Sequence, residues 1–276
     1  MATERIESID DPRVAVYRNL RDRTLRGESV FVTEGRLLTL RLLESDYRAE
    51  SVFVSEQSAG EFQPLVGDRV PLYVATASLL REVAGFPFHR GVLAAGRRRR
   101  PMALEELLAH RPAGQSVRLI VCPAIHQPDN LGPVFRTAAG FGLDGVVLGE
   151  RSCDPFSRRC LRLSMGGVLR VPLARSEDIQ ADLRVLRQRY GVSLVGTVLD
   201  ERAEPLPGFR WPDRTALLVG SEFTGLDPDV LALCDRRVTI PMQPGTDSLN
   251  LGVAAGIFVY EMMKGTVGPS YSRGTL

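Results

Sequence analysis

Lysine is almost missing from this chain. Of the 35 basic side chains in 276 residues, Lys264 is the only lysine and all the others are arginine. A coding bias accounts for that by itself, but arginine is also the better side chain for bidentate phosphate contacts and for stacking. The formal net charge is only +2, which does not force a nucleic-acid partner. Cysteine is sparse as well. Cys122, Cys153, Cys160 and Cys234 show no C-x-x-C spacing and no paired histidine, which argues against a zinc site and a disulfide framework. Reduced, mostly buried thiols are expected. No apolar run approaches the ~18–20 residues that a membrane span needs. Residues 1–7 have neither the cationic start nor the apolar core of a signal peptide, so a cytoplasmic protein away from membranes is expected.

Familiar catalytic signatures are absent too. There is no GxxxxGK phosphate loop, HExxH helix, GxSxG elbow or paired DxD carboxylate. His89, His110 and His126 are scattered. His126 can be read as a substrate contact or as a surface imidazole. With no metal cluster and no evident nucleophile, no metal is expected. The chemistry left is a transfer between two bound substrates, driven by positioning. Gly140-Phe141-Gly142-Leu143-Asp144-Gly145 matches G-x-G-x-x-G, but the order is helix, glycines, strand. A dinucleotide fingerprint needs strand, glycines, helix, so these glycines are read as a helix stop.

What is present is an alternation of strands and helices. Residues 11–26 carry a helical pattern, followed by strands at 30–32, 49–54, 70–74 and 91–94 and helices at 35–43 and 77–83. This predicts a small α/β domain over 1–96. Arg97, Arg98, Arg99 and Arg100 then mark a linker over 97–114, read as an exposed run that is either a solvated hinge or a phosphate contact. A second α/β domain covers 115–265, with strands at 117–121, 145–148, 171–173, 193–198, 216–219 and 238–240. Helices fall between them, which predicts a parallel sheet covered on both faces. Residues 266–276 form a tail.

Three loops of the second domain present small and polar groups at strand ends. The first runs Gln127-Pro128-Asp129-Asn130 into a helix with Arg136 among mostly apolar neighbours. Asn130 is read as a helix cap, and Arg136 needs a partner if taken from water. The second is Gly220-Ser221-Glu222-Phe223-Thr224-Gly225. Here Gly220 either lets a ligand approach the backbone or serves the turn, and Glu222 is a ligand group or solvated. The third runs from Ile240-Pro241-Met242 to Ser248-Leu249-Asn250, with Ser248 read as the cap of a helix over 251–263.

At these residues the chain resembles the SpoU/TrmH branch of the SPOUT methyltransferases. The match is Asn130-x-Gly132-x-x-x-Arg136, then Gly220-Ser221-Glu222-x-x-Gly225-Leu226, then Ile240-Pro241-Met242 with Ser248-Leu249-Asn250. The segment 154–167, with Arg162, Ser164 and Gly166, also looks like the family. Thr33-Glu34-Gly35-Arg36 and His89-x-Gly91-Val92-Leu93 resemble, more weakly, its small substrate-binding domain. The resemblance implies an α/β fold with a trefoil knot, a homodimer through the C-terminal domain, and transfer of methyl from S-adenosylmethionine to an RNA ribose 2′-hydroxyl. By resemblance, backbone groups around Thr197, Gly220, Ile240, Met242 and Leu249 hold the cofactor. Asn130, Arg136, Glu222, Ser248 and Asn250 form the catalytic surface. Arg36, Arg90, Arg97, Arg98, Arg99, Arg100 and Arg162 are the expected RNA contacts. Ribosomal RNA is favoured over transfer RNA by analogy alone. A non-catalytic RNA-binding protein on the same scaffold is the alternative. The chain departs from the family at Leu251-Gly252, where Val-Ser is more usual.

Overall fold

A computed structural model describes residues 3–20, 25, 27–86, 91–109, 111–112, 114–243, 245 and 248–264. Arg90, His89, His110 and the tail expected at 266–276 lie outside the described residues. The strands are β1 (Glu4–Arg5), β2 (Val30–Glu34), β3 (Ala49–Ser55), β4 (Leu72–Ala75), β5 (Val92–Arg97) and β6 (Val117–Cys122). They continue with β7 (Gly145–Leu148), β8 (Leu173–Arg175), β9 (Ser193–Thr197), β10 (Glu204–Pro205), β11 (Arg214–Leu218) and β12 (Arg236–Thr239). The helices are α1 (Arg36–Leu43), α2 (Glu56–Val66), α3 (Ala77–Ala84), α4 (Leu104–Leu108) and α5 (Pro128–Phe141). After these come α6 (Arg158–Leu163), α7 (Ile179–Tyr190), α8 (Pro228–Leu233) and α9 (Leu251–Met263).

The chain divides into two units. One joins Met1–Arg100 with Asp154–Arg170, the other Pro101–Cys153 with Val171–Leu276. The expected domains are continuous stretches, whereas the first unit recruits a segment from the second half of the sequence. Its sheet has the order β1-β4-β3-β5-β2, with β5 antiparallel to both neighbours. Ile6, Phe53, Leu80, Val83 and Leu93 are among the side chains that close its core. The helix expected over 11–26 is only a short 3-10 turn, Pro12–Tyr17. Asp11 caps that turn, and Asn19, at φ 51°, diverts the chain soon after.

Segment 154–170 is held in the first unit by the arginine run. Arg98 makes two parallel bonds to Asp154, Nη1 to Oδ1 at 2.9 Å and Nη2 to Oδ2 at 2.7 Å. It also donates to the carbonyls of Val30 and Leu25, and its guanidinium lies 5.2 Å from the centre of the Phe156 ring. Arg97 pairs with Glu50 at 2.6 Å, and Arg99 bonds the Asp46 carbonyl and covers the Tyr47 ring. The expectation of an exposed run holds for Arg97, Arg99 and Arg100 and fails at Arg98, which is packed. An arginine can be packed when carboxylates and carbonyls satisfy its fork. The remainder of the expected linker is not a connector either, because Leu104, Leu107 and Leu108 are buried in the core of the second unit.

The second unit carries a seven-stranded, all-parallel sheet in the order β10-β12-β9-β11-β6-β7-β8. Its central strands are apolar on both faces, as Leu119, Ile120, Val121, Ala216, Leu217 and Leu218 show by their complete burial. α5 and α9 lie side by side and run parallel. Pro133 faces Gly252, Thr137 faces Gly256, and the Phe141 ring meets the Tyr260 ring edge-on at 6.2 Å.

Candidate active site

In this sheet β12, β9 and β11 are neighbours, in an order different from that of the sequence. Their carboxyl ends deliver Thr197, the 220–225 turn and the chain from Ile240 onward to one place. Ligands of open parallel sheets bind at such ends. A cavity of about 640 Å³ opens there, within the size range of small-molecule sites. Thr197, Gly220, Glu222, Ile240, Met242, Ser248, Leu249 and Asn250 all line it.

The second loop is built by its own backbone. Ser221 N–H donates to the Gly225 carbonyl at 2.9 Å and Gly225 N–H returns the bond at 3.0 Å. Ser221 Oγ accepts from Thr224 N–H at 3.2 Å and lies 2.7 Å from Thr224 Oγ1. A Cβ on Gly220 would stand 2.2 Å from the Gly225 carbonyl carbon and 2.4 Å from Leu226 N. Gly220 serves the turn, since the closely approaching atoms belong to the loop itself, and it also lines the cavity. Glu222 projects into the interior, and both its carboxylate oxygens are buried without a hydrogen-bond partner among the described residues. A buried carboxylate left unmatched calls for a donor from outside the described chain.

The third loop corrects the cap. Asn250, not Ser248, is the N-cap of α9, its side-chain oxygen accepting from Gly252 N–H at 3.0 Å and Val253 N–H at 3.3 Å. Ser248 is exposed, two positions too early. Asn250 Nδ2 also donates to Asn130 Oδ1 at 2.9 Å. Asn130 is buried in the first turn of α5 and does not cap it; the capping position is Gln127, which uses no side-chain bond. The two asparagines thus tie the amino ends of α5 and α9 together. Arg136 is corrected as well. It is exposed, with no hydrogen bond or ion pair among the described residues, because the apolar neighbours in sequence point to the other faces of α5. It does not line the cavity.

The family sequence model described as "SpoU rRNA Methylase family" matches residues 118–260. The chain belongs to that family. An uncharacterized tRNA/rRNA methyltransferase of Mycobacterium tuberculosis is 37% identical over 261 residues, 91% of this chain and 88% of that protein. The 23S rRNA (guanosine-2′-O-)-methyltransferase RlmB of Acinetobacter baylyi is 29% identical, covering 84% of this chain and 91% of its own length. Among solved structures, an AdoMet-bound rRNA methyltransferase from Sinorhizobium meliloti shares the fold, with a TM-score of 0.81 at 22% identity over 96% of this chain and 99% of that one. A structure described as an RNA 2′-O ribose methyltransferase superposes with a TM-score of 0.75 at 26% identity, over 94% of this chain and 98% of that one.

The departure from the SpoU pattern at Gly252 has a packing reason. A Cβ there would stand 2.7 Å from Pro133 Cβ and 3.2 Å from Asn250 Oδ1, so glycine permits the close approach of α9 to α5. The cap survives without a hydroxyl because Asn250 supplies it. Asn250→Ala is expected to destabilise the protein by about 1–3 kcal/mol, from the lost cap and the orphaned Asn130 carbonyl. Ser248→Ala should leave the denaturation midpoint nearly unchanged, and equal effects of the two in a denaturant titration would refute this assignment.

Sequence reasoning missed other cavity residues, among them Leu199, Phe223, Leu231 and Phe258. For Phe223 a signal was available: a large aromatic in the middle of a Gly-bounded polar turn. The expected RNA contacts are dispersed over the first unit. Arg36 is ion-paired with Glu61, Arg162 is exposed on the last turn of α6, and Arg97, Arg98 and Arg99 have the partners described above. Arg100 is exposed and also engaged. No helix among the described residues is long and apolar enough to cross a membrane.

Proposed function

We propose that the chain transfers the methyl group of S-adenosylmethionine to a ribose 2′-hydroxyl of ribosomal RNA. The observation that carries this reading is the convergence of the 220–225 turn, Ile240 with Met242, and residues 248–250 on one cavity. RNA ribose methylation is what the names of its 23S rRNA relatives state. S-adenosylmethionine, when bound, supplies an electrophilic methyl group on a sulfonium. Ile240, Met242, Leu249 and Phe258 offer it apolar walls, Thr197 and Gly220 offer backbone groups, and the unmatched Glu222 carboxylate suits a cationic or donor-bearing guest.

The chain's own work is alignment and charge. The attacking oxygen must be brought into line with the methyl group, and that is most of the barrier. A guanidinium is a very poor base, so Arg136 is not the proton acceptor. Its role in this reading is to fix the target phosphate and stabilise the developing alkoxide, with the proton leaving through phosphate or water. In a homodimer that carries Arg136 to the other copy's cavity, Glu222 there would orient that fork, and Ser248 lines the same space. Asn130 and Asn250 lock the amino ends of α5 and α9, whose dipoles favour negative charge nearby.

Val253, Ile257 and Tyr260 leave an exposed apolar stripe on α9. With α5 and α9 parallel, helical periodicity of about 100° per residue sets Arg136 on the same side of the pair as Val253 and Ile257. A homodimer through this face would cover the stripe and bring Arg136 to the partner's cavity. The reading further includes a trefoil knot closed by the chain between β12 and α9, RNA selection by the first unit, and action in the cytoplasm. The test is transfer of labelled methyl from S-adenosylmethionine to unmodified total RNA, followed by separation of RNA classes and nucleoside digestion. A 2′-O-methylnucleoside confined to ribosomal RNA is the expected product. Cofactor binding absent together with transfer absent would favour the non-catalytic RNA-binding alternative.

A further inference from the structure

We propose that Phe223 is the platform on which the base of the target nucleotide stacks, making it a substrate-positioning residue on the RNA side of the cavity. The proposal rests on the methyltransferase reading above. Phe223 is 83% exposed, more than any other large apolar side chain among the described residues. Single exposed apolar residues are ordinary on protein surfaces. This one differs in where it is held. It occupies the middle of the 221–225 turn, which is closed by the reciprocal Ser221–Gly225 backbone bonds and braced by Ser221 Oγ on Thr224. The backbone that carries the ring is therefore held at the cavity rim, not on a loose loop.

Successive residues of the turn go opposite ways. Glu222 buries its carboxylate oxygens, while Phe223 turns its ring outward and still lines the cavity. A group so exposed serves what arrives from solvent more than what lies inside. Leu199, 66% exposed, lines the same cavity from the end of β9, so the mouth carries a second apolar group. A 2′-hydroxyl that enters this cavity brings its own base with it, one glycosidic bond away. An enzyme acting on one nucleotide must draw it from its stack and hold it, and aromatic stacking does this for any base because each has a π-face. The cavity interior then handles the ribose and the rim handles the base.

The test compares Phe223→Ala, Phe223→Leu and Phe223→Trp in the full chain, using unmodified ribosomal RNA transcribed in vitro. Because the ring is so exposed, all three should fold with wild-type thermal stability. For Ala and Leu, KM for RNA should rise about tenfold or more, and Trp should stay near wild type. S-adenosylmethionine affinity by calorimetry and the sedimentation behaviour should not change. Wild-type performance by Phe223→Leu would overturn stacking. A parallel loss of cofactor affinity would make the ring a cofactor contact, and a changed oligomeric state would make it an interface residue; either overturns the proposal. Wild-type protein assayed alongside separates the two levels. If it transfers methyl and Phe223→Ala does so equally well, only the platform fails. If wild type neither binds cofactor nor transfers methyl, the enzymatic reading fails and the platform with it.

Discussion

Arg136→Lys is expected to lose about a hundredfold or more in the rate of methyl transfer, the scale seen when one preorganised donor to a developing oxyanion is removed. Cofactor affinity and thermal stability should stay at wild-type values. The side chain is exposed on α5 and has no hydrogen-bond or ion-pair partner among the described residues, so its removal breaks no polar contact of the described fold. The helix beneath it is fixed: α5 is tied to α9 at Asn130–Asn250 and packed against it at Pro133 and Gly252. An unpaired arginine on a rigid helix is poised for an external anion. Lysine keeps the charge but not the planar fork that grips a phosphate with two parallel bonds. The loss should fall on kcat as well as on KM for RNA, because the fork serves both the phosphate and the oxyanion. Near-normal turnover by Arg136→Lys would show that a point charge suffices and that this account of the residue is wrong.

The order of strands and helices in the second unit was readable because its central parallel strands are mostly apolar. Residues 117–121 and 145–148 have nearly the bounds of β6 and β7. In the first unit the pattern hid α2, whose Gly60 and Pro64 interrupt it and whose buried face is mainly Phe62 and Val66. β10, two residues long, offered no period at all. The three motif loops were recognisable as strand-end features, but which residue does what within them was not. Ser248 and Asn250 are both good caps by propensity, and only the start of α9 at Leu251 decides between them. Arg136 sits among apolar residues in sequence, yet a helix sends neighbours to different faces, so sequence company says nothing about burial. Gly220 illustrates a third limit: a glycine that spares its own loop and one that admits a ligand are written identically.

The run Arg97, Arg98, Arg99 and Arg100 was the least legible stretch, because four like charges in a row suggest solvent. Arg98→Ala is expected to destabilise the first unit by about 2–4 kcal/mol, toward the lower part of the range for breaking a buried ion pair from one side. The Arg98 and Asp154 side chains are only 16% and 12% exposed, and the loss strands the carboxylate together with the Val30 and Leu25 carbonyls. Arg97→Ala removes an ion pair whose arginine is 54% exposed, so it should barely move the denaturation midpoint. Two residues adjacent in sequence and identical in chemistry should therefore differ severalfold in a denaturant titration. Replacing both members of the buried pair with apolar residues, Arg98→Met with Asp154→Leu, should recover much of the loss, since desolvation of the charges then disappears with their attraction. S-adenosylmethionine affinity should be kept in all of these variants, because every residue lining the cavity belongs to the second unit. If Arg98→Ala left stability untouched but flattened the salt dependence of RNA binding, Arg98 would be a phosphate contact and not the clamp on segment 154–170.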